Sequence, residues 1–109
     1  MKRLVEKTCR ACEGETLPLG KNEAAEYLSQ VPGWTPPADY TAISREFLFD
    51  DFAGAMRFVN KVADLAEKEG HHPDIHIWYN RVTLELSTHA IKGLSENDFI
   101  LAAKINLLA

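Results

Sequence analysis

The chain has 109 residues, 46% of them apolar and 26% charged, with a formal net charge of −4. That length and balance fit one globular domain. The acidic balance argues against a nucleic-acid backbone binder, which needs a basic patch, and no apolar run approaches the ~18–20 residues of a membrane span. Residues 1–7 have a basic start but lack the apolar core of a secretory signal, so a cytoplasmic protein is expected. A chain this short buries only part of its surface, and oligomerisation would help it.

Residues 1–19 read as an irregular extension punctuated by Gly14, Pro18 and Gly20, and residues 20–109 as a single domain. The extension holds both cysteines, Cys9 and Cys12, spaced C-x-x-C. No second cysteine pair exists to complete a zinc site, and no helix is signalled where a redox pair would need one. An incidental or structural pair, half a metal site and a redox pair all remain open. A short helix from about Asn22 to Gln30 carries Ala24, Tyr27, Leu28 and Val31 on one stripe, and Pro32-Gly33 stops it.

Trp34-Thr35 can begin a strand, Pro36-Pro37-Ala38-Asp39 is a turn, and Tyr40 to Phe49 reads as a second strand. In that strand Ile43, Phe47 and Phe49 alternate with Ser44, Glu46 and Leu48, and Arg45 interrupts the apolar side. Asp50 or Asp51 caps a long helix reaching about Glu69, with Phe52, Met56, Val59, Val62, Ala63 and Ala66 on its buried face, widened by Phe58 and Leu65. Gly70 suits a left-handed helix end.

Residues 74–79 and 82–88 alternate as a hairpin about an Asn80-Arg81 turn. That register sets Tyr79 opposite Val82, Ile77 opposite Leu84, Ile75 opposite Leu86 and, if the ladder continues past Pro73, His72 opposite His89. Ser95-Glu96-Asn97-Asp98 resembles a capping box opening a last helix to about Leu108. Phe99, Ile100, Leu101, Ile105, Leu107 and Leu108 give that helix apolar residues on more than one face, which suggests a subunit contact as well as a core contact. The predicted order is α-β-β-α-β-β-α. It describes an α+β fold with a four-stranded antiparallel sheet and helices packed on one face.

Three of the four histidines fall at 71, 72 and 76, and the fourth is His89. Histidine exchanges protons near neutral pH. His71 follows a helix C-terminus, whose dipole favours an imidazolium. Glu67, one turn earlier, can orient His71, and Asp98 can do the same for His89. His71, His72 and His89 with two carboxylates supply acid, base and charge control, and no nucleophile is placed by motif, so proton transfer on a small polar substrate is a natural reading. A polar loop and a three-histidine zinc site are the alternatives. Asp98 alone would more simply start a helix, His76 reads as an outer-face strand residue, and Trp34 and Trp78 as packing.

Glu67-x3-His71-His72-Pro73, Tyr79, His89 and Asp98 at these spacings resemble the signature of the pterin-4a-carbinolamine dehydratases. Gly33-Trp34, Phe47-x-Phe49-x-Asp51-Phe52, Leu86-Ser87-Thr88-His89 and Gly93-Leu94-Ser95 are also similar to that family, over about residues 20–108. The resemblance implies a hydro-lyase that dehydrates 4a-hydroxytetrahydropterin to quinonoid dihydropterin and so recycles the pterin of aromatic amino-acid hydroxylases. It implies no metal and no cofactor beyond the pterin substrate itself.

The resemblance further implies that His71 and His89 act as acids on the two faces of the pterin. His72 would bind substrate and assist proton removal, while Glu67, Pro73, Asp98 and Trp34 bind or orient. Ile75 and Asn97 depart from the aromatic residue and the arginine of animal members. A homo-oligomer, dimer or tetramer, and functional coupling to phenylalanine hydroxylase follow from the same resemblance. A different role within the family is non-catalytic, as a dimerisation or assembly cofactor for a protein partner.

Overall fold

The computed structural model describes residues 3–9, 18–37 and 39–109. Cys12, Gly14 and Ala38, named above for the cysteine pair, the extension and the turn, lie outside the described residues. Three helices and three strands follow in the order α1 (Lys21–Leu28), β1 (Ile43–Leu48), α2 (Phe52–Glu69), β2 (Asp74–Trp78), β3 (Arg81–Leu86) and α3 (Glu96–Asn106). Short 3-10 turns occupy Leu4–Glu6 and His89–Ile91. No helix among the described residues is long and apolar enough to cross a membrane.

The sheet is antiparallel with order β1-β3-β2. Among the described residues it has three strands, not the four expected: Trp34-Thr35 contributes only an isolated bridge, Thr35 to Ser44. Thr35 and Ser44 exchange two 2.9 Å backbone hydrogen bonds. Pro36 and Pro37 follow at once, and without N–H groups they cannot extend the ladder. The central strand β3 buries Val82, Leu84 and Leu86 completely, and β1 adds Ile43 and Phe47 to the same face. Arg45 lies on that apolar side too. Its guanidinium sits 4.5 Å from the Phe47 ring centroid and donates to Asn106 Oδ1 at 2.6 Å, so stem and head are both accommodated.

α2 starts where Asp51 accepts a hydrogen bond from the Gly54 N–H at 2.8 Å. Its buried stripe is Ala55, Phe58, Val59, Val62 and Ala66. Phe58 packs against Phe47 and Phe49. The stripe is rotated from the one expected: Phe52 and Ala63 are exposed and Met56 is at the margin. A helix with apolar residues spread this widely can present either of two overlapping stripes, and the aromatic cluster with β1 selects the one containing Phe58. The helix ends at Gly70 with φ +69°, as a left-handed cap requires.

The hairpin register differs from the expected one by two residues. Ile77 pairs with Val82, Ile75 with Leu84 and Trp78 with Arg81, leaving Tyr79-Asn80 as the turn. Asn80 is pinned to the start of α2: its backbone carbonyl accepts from Phe49 N, and its side-chain amide donates to Phe49 O, both at 2.9 Å. Tyr79 takes a positive φ of 50° and stacks on Phe52. These tertiary contacts outweigh the local preference for an Asn80-Arg81 turn. His72 and His89 therefore do not face each other across a ladder, because β2 begins at Asp74 and the chain leaves β3 after Leu86.

α3 is buried on nearly every side, from Asn97 through Ala103 and again at Ile105. Its several apolar faces are consumed within the monomer, against the sheet, α2 and the N-terminal turn carrying Leu4. The subunit contact expected on this helix thus has little surface there, with Leu107 exposed just beyond its end. Exposed apolar surface lies instead at the β2 edge and hairpin tip, on Ile75, Trp78 and Tyr79, and beside them on Leu48 and Phe52.

Candidate active site

Two helix ends and one turn meet at the site. The C-terminus of α2 delivers His71 and His72, the N-terminus of α3 delivers Asp98, and the turn after β3 carries Thr88 and His89. Gly70 reverses the chain through its positive φ, so His71 leaves the α2 axis and turns to α3. Its Nε2 lies 2.6 Å from Asp98 Oδ1, with the histidine side chain 12% exposed and the aspartate fully buried. His72 folds back along α2, and its Nε2 lies 2.6 Å from Glu67 Oε2 in an exposed pair.

The carboxylates are therefore exchanged relative to expectation: Glu67 serves His72, and Asp98 serves His71 rather than His89. An ionised carboxylate only accepts hydrogen bonds, so with both carboxylates ionised each Nε2 carries the proton. Among the described residues no hydrogen bond occupies either Nδ1. Protonated, such a ring offers an N–H acid at Nδ1; neutral, it offers a lone pair there as base.

Asp98 is held on its far side as well. Oδ2 accepts from Thr88 Oγ1 at 2.8 Å and from the Ser95 backbone N–H at 2.9 Å. The second bond is one half of the capping box that the Ser95–Asp98 spacing predicted. Thr88 Oγ1 is also 2.7 Å from Ser95 Oγ. Since the single Thr88 proton goes to the carboxylate, Ser95 donates to Thr88. Thr88 was not among the candidate site residues, and its bond to Asp98 brings it to them. Its signal was its place directly before His89.

His89 stands exposed on its 3-10 turn, joined to the pair through this neighbour. Pro73 separates His72 from β2 and keeps the double histidine out of the ladder. Trp34, expected to bind or orient substrate, is a core residue: it is 4% exposed, and its indole N–H donates to Asn106 Oδ1 at 2.8 Å. His76 is exposed on β2 beside Trp78, as expected of an outer-face residue. Among the described residues no group of three or more His, Cys, Asp or Glu is disposed to hold a metal ion.

The arrangement holds two histidines by carboxylates of opposite environment, one buried and one exposed. Comparison with known proteins gives the chain a family. The family model for pterin 4 alpha carbinolamine dehydratase matches residues 17–108. The chain belongs to the pterin-4a-carbinolamine dehydratase family, a family of hydro-lyases.

It is 46% identical over 105 residues to a protein of Halorhodospira halophila, covering 96% of each chain. It is 47% identical over 106 residues to one of Aromatoleum aromaticum, covering 97% of this chain and 95% of the relative. Both are provisionally named pterin-4-alpha-carbinolamine dehydratase. Among solved structures, a transcriptional coactivator/pterin dehydratase from Brucella melitensis is 39% identical with a TM-score of 0.80, over 84% of this chain and 98% of that one. A pterin dehydratase-like protein described as a RuBisCO assembly factor of the alpha-carboxysome is 26% identical with a TM-score of 0.62, over 71% and 89%.

Proposed function

We propose that this member of the dehydratase family eliminates water from a 4a-hydroxytetrahydropterin, giving the quinonoid dihydropterin and recycling the cofactor of an aromatic amino-acid hydroxylase. The observation that carries the reading is the 2.6 Å contact of His71 Nε2 with a fully buried Asp98 carboxylate. In its protonated form the ring, with its Nε2–H on that carboxylate, can donate the Nδ1–H to the 4a-hydroxyl. The C4a–O bond then breaks and water departs. Removal of a ring N–H proton completes the elimination, and His72 Nδ1, with Glu67 behind its ring, is the base for that proton.

His89 serves as an acid on the opposite face of the pterin, and Pro73 fixes the backbone of the double histidine. Trp34 contributes indirectly, through core packing and its hydrogen bond to Asn106.

The test is direct. Synthetic 4a-hydroxytetrahydropterin should lose water faster with the protein than in buffer, and His72→Ala should slow that loss by about 10²-fold or more, the scale of general acid–base catalysis. Added chelator should change nothing, which separates this chemistry from a zinc-dependent one. Equal rates with and without protein refute the reading. A gene for phenylalanine hydroxylase beside this one would support the coupling.

A second reading has its own observation. β2 is an edge strand, with Ile75, Trp78 and Tyr79 exposed along it and at its tip. Such an edge pairs readily with another chain, which supports a homo-oligomer, and one solved relative is described as an assembly factor. In this reading the protein is a non-catalytic dimerisation or assembly cofactor. A stable macromolecular partner on co-purification, without turnover of the pterin, would favour it.

A further inference from the structure

The proton-transfer pair is not the only link between α2 and α3. Glu69, the last residue of α2, has a side chain only 3% exposed, and its Oε2 lies 2.9 Å from Lys104 Nζ on α3. Its other oxygen, Oε1, accepts the Cys9 backbone N–H at 2.9 Å. Burial works against ionisation of this carboxylate. The hydrogen bonds from Lys104 and Cys9 outweigh it, however, and hold its pKa below the ordinary value. Glu69 is thus a buried anion satisfied on both oxygens.

Its position gives it a second meaning. Two residues later His71 is joined to Asp98, six residues before Lys104, a separation of about 9 Å along α3. The end of α2 is therefore attached to α3 at two points, Glu69–Lys104 and His71–Asp98. Between the two points on the α2 side stands Gly70 alone. It has a left-handed backbone and nothing within 4 Å of where a Cβ would lie, so no packed side chain steadies this joint.

The described N-terminal segment lies across the same helix ends. Lys7 Nζ and Tyr27 Oη each donate to Glu96 Oε2 at 2.8 Å, and Cys9 Sγ lies 3.6 Å from Asn97 O. Leu4 inserts into the core beneath. The three polar contacts all fall on the first turn of α3.

We propose that Glu69 and Lys104 are positioning residues for His71. Their buried ion pair fixes the end of α2 on α3 so that the Gly70 joint can deliver His71 Nε2 to Asp98 in one geometry only. The Cys9 N–H holds the second oxygen of Glu69 and so ties the N-terminal segment into the same device. The catalytic consequence rests on the proposed role of His71 as acid; the geometric consequence does not.

The experiment uses full-length Glu69→Gln, Lys104→Met and Lys104→Arg with two readouts. The first is the downfield proton resonance of His71 Nε2–H in its hydrogen bond to Asp98. The second is steady-state dehydration of 4a-hydroxytetrahydropterin. In Glu69→Gln and Lys104→Met the resonance should broaden or move, and kcat should fall about tenfold to a hundredfold with KM within about twofold, as a small misplacement of a reacting group produces. Lys104→Arg should restore both.

Should Lys104→Met fail to fold, the isosteric Glu69→Gln and the charge-conserving Lys104→Arg still make the comparison. An unchanged resonance with unchanged kcat, accompanied only by a lower melting temperature, overturns the proposal. If the wild-type protein shows no dehydration at all, the functional reading fails by itself, and the resonance alone decides the positioning claim.

Discussion

Replacing Asp98 by asparagine exchanges one carboxylate oxygen for an amide group at almost unchanged volume. The far side of the residue faces two donors, Thr88 Oγ1–H and the Ser95 N–H. The amide oxygen must take that side, and the NH2 group is left facing His71 Nε2 at what was a 2.6 Å contact. Two N–H groups cannot share that contact. Nε2 has to become an acceptor, the proton moves to Nδ1, and the imidazolium form is opposed by a donor where it had a buried negative charge.

The two bonds on the far side survive but lose their charge-assisted character. The difference is about 1 kcal/mol each, so a stability loss of about 2 kcal/mol is expected. For the rate, a carboxylate-to-amide change behind the histidine of the serine-protease triad lowers kcat by about 10⁴, through the same wrong tautomer. Under the proposed mechanism three histidines share the proton traffic, and a fall of about 10²–10³ in kcat is expected. Stopped-flow dehydration of 4a-hydroxytetrahydropterin measures the rate, urea unfolding measures the stability, and the nitrogen chemical shifts of His71 report the tautomer. A variant that keeps kcat within threefold of wild type, or whose His71 still carries its proton on Nε2, refutes the role assigned to the buried carboxylate.

Three further outcomes follow from particular contacts. Gly70→Ala meets no atom within 4 Å but must hold φ near +69°; the strain of about 1 kcal/mol should lower the melting temperature by about 4–8 °C, with Gly70→Asn closer to wild type. Glu69 titrates below the ordinary carboxylate range, so the stability it contributes is fully present above its unfolded pKa of about 4.3 and is lost as pH falls through the lower folded value. The stability gap between wild type and Glu69→Gln should therefore be constant near neutrality and shrink below about pH 4, as acid-dependent urea titrations would show. Burial first, and then the neighbouring Glu69 charge, push the Cys9 thiol up to about 12. In a Cys12→Ser background, Cys9 should react with a disulfide reagent at pH 8 about a thousandfold more slowly than a free cysteine, and rapid reaction would show that the N-terminal segment does not hold its place.

Local chemistry made much of this protein legible from residues alone. Asp51 and Ser95 open their helices, and Gly70 closes α2, because caps depend on side chains within three or four positions. The hairpin was visible in its alternation, and the double histidine beyond Gly70 marked the site, because period and spacing are properties of the chain itself. The number of strands was not visible. Two β-type residues, Trp34-Thr35, look like a strand until their partners are known, and the prolines after them leave room for one bridge only.

The pairing of histidines with carboxylates lay beyond the sequence as well. Counting along α2 assigns Glu67 to His71, one turn on. That count assumes that the helix continues, and Gly70 ends it. The reversal there sends His71 across to Asp98 and returns His72 to Glu67. Sequence alone singled out the histidines and carboxylates of the candidate site. Only the packing of one helix end against another decided which carboxylate stands behind which ring, because the buried pair depends on a contact between residues 27 positions apart.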